Sequence, residues 1–364
     1  NSADWFVAND EVVFNDSGVL KTEIELIGTL PVSKVHINAT VDYSFSGSGS
    51  ISGTGSLIKE GEGKLVINNT NDYTGLTLIK QGIIEIQKLE NGGYPSPVGA
   101  SGSGPENLVF DGGTLNLSGG EITTDRGLTL GISGGTLDIT NQSIGTRFNG
   151  QITGTGKLIK IGYGLLTLGS ANYYEGGTII RKGTIKLGTE EATIHGLGSG
   201  PVIIENATLS MLDNRSSYTD NCDWDIVVPQ YANAYLTLDS RCSLTGSLTG
   251  SGTFNLYIPF IRSELYGDWS GFSGKINVSA NSDGGTFLIG NINGMPDASI
   301  MLNDNVTAIF RKTSNVTIEI GELSGTGLSK LGAGGEGTSI ITWKIGGKNT
   351  NAVFPGIICN DQFK

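Results

Sequence analysis

The stretch "ISGTGSLIKEGEGKLVI", Ile51–Ile67, recurs as "ITGTGKLIKIGYGLLTL" at Ile152–Leu168. The offset stays at 101 residues from Gly53 and Gly154 to Gly82 and Gly183, and 17 of the 36 positions from Ile51 to Ile86 are identical. A repeat of this length decides the architecture before any site is sought, because each copy must bury its apolar face against a neighbour. The copies also show which face that is. Ile84 and Ile86 correspond to Ile185 and Leu187, while Glu85 between them corresponds to Lys186. Aliphatic positions kept beside a charge reversal read as a period-2 strand with one face in a core. The inward set is then Leu57, Leu65, Ile67, Ile84 and Ile86 with Leu158, Leu166, Leu168, Ile185 and Leu187, and Glu85 and Lys186 are expected to be exposed.

Composition agrees with stacked strands. Of 364 residues 57 are Gly, about twice the usual ~7% share, and only 16% are charged against ~25% in ordinary domains. Thr, Ser and Asn fill the outward positions instead, and these can hydrogen-bond along a stack where like charges would repel. Gly lacks the every-third-residue spacing of collagen. The net charge of −12 argues against nucleic acid, which needs a basic stripe. No apolar run is long enough to span a membrane as a helix. The start, "NSADWF", has no basic and apolar leader, so the chain reads as a fragment or as a product from which a leader was removed.

Helical periodicity is almost absent. Short alternating runs such as "KLVIN", "GIIEIQ", "GTLDIT" and "KINVS" are bounded by Gly, Asn, Ser or Asp. Two-residue Asn-Gly or Asp-Gly hairpin turns are scarce, and one sandwich of this length would exceed the usual domain size. A solenoid has no such limit, since each coil contacts only its neighbours. At ~20–25 residues per coil the chain would make roughly 15 coils. The expected fold is all-β, a parallel β-helix running through residues 1–364. Residues 1–46 read as lead-in coils, 47–210 as the two clear repeat units, 211–272 as a divergent segment, and 273–364 as degenerate repeats.

"GTGSLIKEGEGKLVINNTNDYTGLTLIKQGIIEI" resembles the passenger-associated strand repeat of bacterial autotransporters. Gly154–Leu187 fits equally well, including Asn172, Tyr174, Gly176 and Thr178. "LSGTGLSKLGAGGEG" and "TWKIGGKNTNAVFPGII" look like further, degenerate units. The resemblance implies a secreted Gram-negative surface protein built on a right-handed parallel β-helix, used for adhesion or display, and it brings no catalytic residues. No outer-membrane barrel pattern is visible, so the chain reads as a passenger or repeat segment. Within the repeat, Gly61 and Gly63 suit a positive-φ corner. Asn71 and Asp72 suit a turn that bonds its own backbone, and Tyr73 suits a ring laid over the corner.

Catalytic signatures are sparse. His36 and His195 lie far apart, no H-E-x-x-H or P-loop occurs, and "GSGSISG" at Gly47 precedes a strand where a nucleotide loop would precede a helix. No catalytic residue, metal site or cofactor is assigned. The acidic cluster "DNRSSYTDNCDWD", with Asp213, Asp220, Asp223 and Asp225 beside Arg215, reads as a solvated loop. A polysaccharide lyase or glycoside hydrolase, which needs such carboxylates, is the enzymatic alternative. The same stretch concentrates aromatics, and exposed rings on a rigid β surface would stack on sugars. The candidate glycan site is therefore Tyr218, Asp220, Asp223, Trp224, Asp225, Tyr235 and Trp269. Trp269 also sits where Tyr73 does in the repeat, so it competes with a core role. The function favoured is a non-enzymatic surface stalk or adhesin segment, on the bacterial outer surface or secreted, with a surface glycan or host-cell partner. Cys222 and Cys242 are expected to stack on adjacent coils.

Overall fold

Alternating residues in an extended chain place every second side chain on one side, and glycine or Asx corners let the chain turn after a few residues. The computed structural model describes residues 6–18, 21–143, 145–211, 218–238, 241–259, 263–310, 315–333 and 340–359. Among them, strands of two to ten residues pair in parallel, rung on rung, as a β-solenoid of about 14 turns. The chain divides into two compact units, Asn1–Thr178 with Gly196–Gly200, and Ile179–His195 with Pro201–Lys364.

In the first unit each rung places its apolar residues directly over those of the rung before. Phe45, Ile67, Ile86, Leu117 and Ile139 form one column by register, and each is no more than 2% exposed. Burial of each such side chain is worth roughly 1.5–3 kcal/mol, so the columns carry most of the stability. The expected inward set of ten residues is buried throughout. Glu85 and Lys186, expected to be exposed, are half-buried. In stacked rungs an outward side chain is flanked from above and below. Glu85 lies between Val66 and Asn116, and the Lys64 ammonium donates to it at 2.8 Å.

The second unit repeats the design with longer strands. Ile185, Leu209, Leu236, Leu256, Val278 and Leu302 make an unbroken column, all fully buried. The interval between successive members runs from 20 to 27 residues, so corners absorb the length differences while the column stays in register. A separate seven-stranded sheet runs from Tyr218–Cys222 to Ile357–Cys359. One short helix, Glu190–His195, breaks the pattern; the Thr189 hydroxyl accepts from the Ala192 N–H at 3.0 Å as an N-cap.

The cysteine expectation needs correction. Cys222 and Cys242 do occupy paired strands, but Cys222 registers with Leu244 and Cys242 with Asp220. The coil here is two residues longer than the cysteine spacing, which slides the two out of direct opposition. Cys222 instead lies within 3.5 Å of the Thr193 carbonyl.

Replacing Leu166, which is fully buried, by Asp sets an unpartnered carboxylate inside an apolar column. The expected loss is at least about 3 kcal/mol. Denaturant unfolding of the L166D chain checks it, with a wild-type midpoint refuting this register.

Candidate functional site

The two copies share a lysine, an asparagine and a tyrosine, polar residues that could form a site. The structure turns all three inward. Lys59 stands in the column between Ile37 and Ile79 and is fully buried. Its ammonium donates to the carbonyls of Glu60 (2.8 Å), Gly61 (2.7 Å) and Gln81 (3.2 Å). Lys160 is equally buried and donates to Ile161 and Gly162. Burial lowers both amines to about 8, which leaves them mostly protonated at neutral pH and able to satisfy the corner carbonyls.

Asn71 does not bond its own backbone as the turn reading expects; Asn71 and Asn172 each span neighbouring rungs. Asn71 accepts from the Ile51 N–H at 2.9 Å and donates to the Pro97 carbonyl at 2.8 Å, and Asn172 does the same between Ile152 and Gly196. Tyr73, expected to lie over the corner, is buried, and so is Tyr174, at 1% and 0% exposed. Thr77 donates its hydroxyl proton to the Val98 carbonyl, so the Tyr73 phenol is the donor to Thr77 at 2.7 Å. The Tyr174–Thr178–Leu197 chain matches it. Gly61 has φ of 71°, as expected, but Gly63 does not share it. A Cβ at Gly63 would sit 2.2 Å from the Val41 carbonyl oxygen, so close rung stacking requires glycine there. These repeat residues build rungs.

The segment 211–272 distributes its candidates differently from the reading of its composition. Asp213 and Arg215 lie outside the described residues, as do the side chains of Tyr218 and Asp220, whose backbone forms the strand Tyr218–Cys222. Trp224 is 5% exposed and Trp269 3% exposed, which removes both rings from any surface platform. Trp224 shares the inward parity of Cys222 and Ile226. Trp269 packs on Phe254 and Phe287, with ring centroids 5.9 and 6.5 Å away, the core role its repeat position implies. Asp223 is exposed. Asp225 accepts from the N–H and hydroxyl of Ser247 at 2.9 and 2.7 Å, which occupies it with a turn. Among the described residues no three His, Cys, Asp or Glu converge as a metal site.

Among the candidates with described side chains, Tyr235 reaches solvent in a shaped surface. It lines a shallow cleft of about 300 Å³ on the outward face of the strands Asn233–Thr237, Thr253–Ile258, Lys275–Ala280 and Met295–Leu302. Tyr257, Asn255, Lys275, Asn277 and Asn303 line it too. Tyr235 and Tyr257 stay 45% and 39% exposed. Lys275, Asn277 and Asn303 were missed because aromatic density drew the segment's limit at 272. The available signal was the outward parity of "KINVS", which continues that of "NAYLT" and "FNLYI".

The family described as passenger-associated-transport-repeat matches residues 57–86 and 158–187. The chain is also 34% identical over 238 residues, 62% of its length, to the adhesin BmaC autotransporter of Brucella suis biovar 1 (strain 1330). That match spans 7% of the relative's own length. No solved structure matches the chain.

Asn71→Ala would strand the Ile51 N–H and the Pro97 carbonyl, for an expected loss of about 2–4 kcal/mol in denaturant unfolding; an unchanged midpoint would remove Asn71 from the rung-spanning role. Alkaline pH probes the other two residue types. Between about 8 and the ordinary lysine value of ~10.4, the unfolded chain keeps protons that folded Lys59 and Lys160 shed, so stability rises with pH. Burial raises the Tyr73 and Tyr174 phenols, so above the ordinary ~10 only the unfolded chain ionises and stability falls. A thermal midpoint that peaks near pH 10 is expected, and a Lys59→Met, Lys160→Met chain should lose the rise.

Proposed function

We propose that this chain, which carries two passenger-associated-transport-repeats, is a non-catalytic adhesive segment displayed at the outer surface of a Gram-negative bacterium, with a glycan as its ligand. The observation that carries this reading is where the polar residues go. In both repeats lysine, asparagine, tyrosine and threonine are consumed inside the rungs, so the repeat makes a scaffold and leaves recognition to outward faces. Similarity to a curated adhesin supports the same reading. The Tyr235–Tyr257 cleft supports a glycan, since exposed rings beside amides suit the apolar faces and hydroxyls of a sugar.

The lyase or hydrolase alternative needs an acid and a base converging on one bond. Asp225 is held by Ser247 and Asp223 is exposed, so the described residues offer that chemistry little.

Beads coated with the chain should adhere to cultured epithelial cells saturably, and free chain should compete. The purified chain should release no reducing ends from acidic polysaccharides. Adhesion equal to that of bare beads would refute the adhesive reading. Reducing-end release that disappears in Asp223→Asn would replace it with the enzymatic one.

A further inference from the structure

We infer that the cleft on the outward face of Asn233–Thr237, Thr253–Ile258 and Lys275–Ala280 binds a carboxylate-bearing saccharide, with Asn277 Oδ1, the Tyr235 hydroxyl and the Lys275 ammonium as its polar contacts. This rests on the adhesive reading above and gives it a ligand class.

The strands bring Tyr235, Asn255, Asn277 and Met301 into one outward row, one per rung. Asn255 Nδ2 donates to the Ala234 carbonyl at 3.0 Å and to Asn233 Oδ1 at 2.8 Å. A backbone carbonyl can only accept, so the orientation of the Asn255 amide is fixed and its Oδ1 faces the next rung. There Asn277 Nδ2 donates to it at 2.9 Å, which turns Asn277 Oδ1 onward to the following rung. That rung carries Met301, whose side chain has no N–H or O–H to give. Asn277 Oδ1 is accordingly buried without a partner, the last acceptor of a directed amide row. Such a group is costly to leave unmade, and a ligand donor would satisfy it once the flexible Met301 side chain, next in the row and part of the cleft lining, gives way.

The other contacts are equally directional. Asn233 Nδ2 donates to the Tyr235 hydroxyl at 2.8 Å, which leaves the phenolic proton free to donate outward. Lys275 is two residues before Asn277 on the same face, is exposed, and forms no ion pair among the described residues. A ligand must therefore offer a donor to Asn277, an acceptor to Tyr235, an anion to Lys275 and apolar C–H faces to two tyrosines. A sugar with hydroxyls and a carboxylate offers all four. A peptide added as a strand has no place here, because the central strands are already paired on both edges.

Isothermal titration of the full chain with a hyaluronan octasaccharide, which alternates glucuronate with N-acetylglucosamine, tests the inference. Binding is expected, weakening with salt, and at least ten-fold weaker for the carboxyl-reduced octasaccharide. Lys275→Gln and Tyr257→Ala change exposed side chains, so each should keep the wild-type thermal midpoint while weakening binding at least ten-fold. Absence of binding at millimolar ligand, binding indifferent to both substitutions, or preference for an acidic peptide would overturn the inference. Cell adhesion that persists without hyaluronan binding would leave the adhesive reading standing and remove only this site.

Discussion

Parallel rungs separated by ~4.8 Å force each side chain to lie over its counterpart in the next turn, and the rest of the structure follows from that constraint. Inside, it rewards aliphatic residues that stack on aliphatic residues, as in the column from Ile185 to Leu302. Outside, it disfavours like charges and favours groups that both donate and accept, which is why Asn233, Asn255 and Asn277 can follow one another. At the corners it excludes side chains, and Gly63 answers a carbonyl that leaves no room for a Cβ.

The constraint also explains an interior that is not wholly apolar. A tight corner leaves carbonyls pointing inward, and an inward carbonyl without a donor is costly. Lys59 and Lys160 resolve this with one flexible ammonium each, at the expense of desolvating a charge. Arg126 does the same on a larger scale. Nearly buried, it donates to the carbonyls of Glu90, Asn91, Tyr94 and Gly99 and to the Ser101 hydroxyl, which fastens the insertion between Ile86 and Leu108.

The fold was readable in the sequence because period-2 alternation and a gap-free repeat both report which face is inside. The same parity also places polar residues. Leu57 and Lys59 are two apart, so the strand that buries one buries the other, and Trp224 falls in step with Cys222 and Ile226. Reading tryptophan and aspartate as surface chemistry by their density ignored which way each points. Tyr235 stands out in the sequence for its ring, and its parity is outward. Its partners Asn255, Lys275 and Asn277 come from successive turns, and no local motif announces residues that only rung spacing brings together. The two-residue slip between Cys222 and Cys242 has the same origin, since coil length is set at the corners and is not a fixed number.

The rung-spanning bonds of Asn71 have a mechanical meaning. Within the first unit, hydrogen bonds between rungs run along the stacking direction, so a pull that peels the chain from one end loads the outermost rung while the others stay unloaded. A stack held only by backbone bonds would give way turn by turn at nearly constant force. Asn71 ties Ile51 to Pro97, and Arg126 fastens the stretch from Glu90 to Ser101, so tension entering one of these rungs is shared with its neighbours. The unit should therefore yield in steps larger than a single turn, with the buried polar residues acting as rivets against peeling.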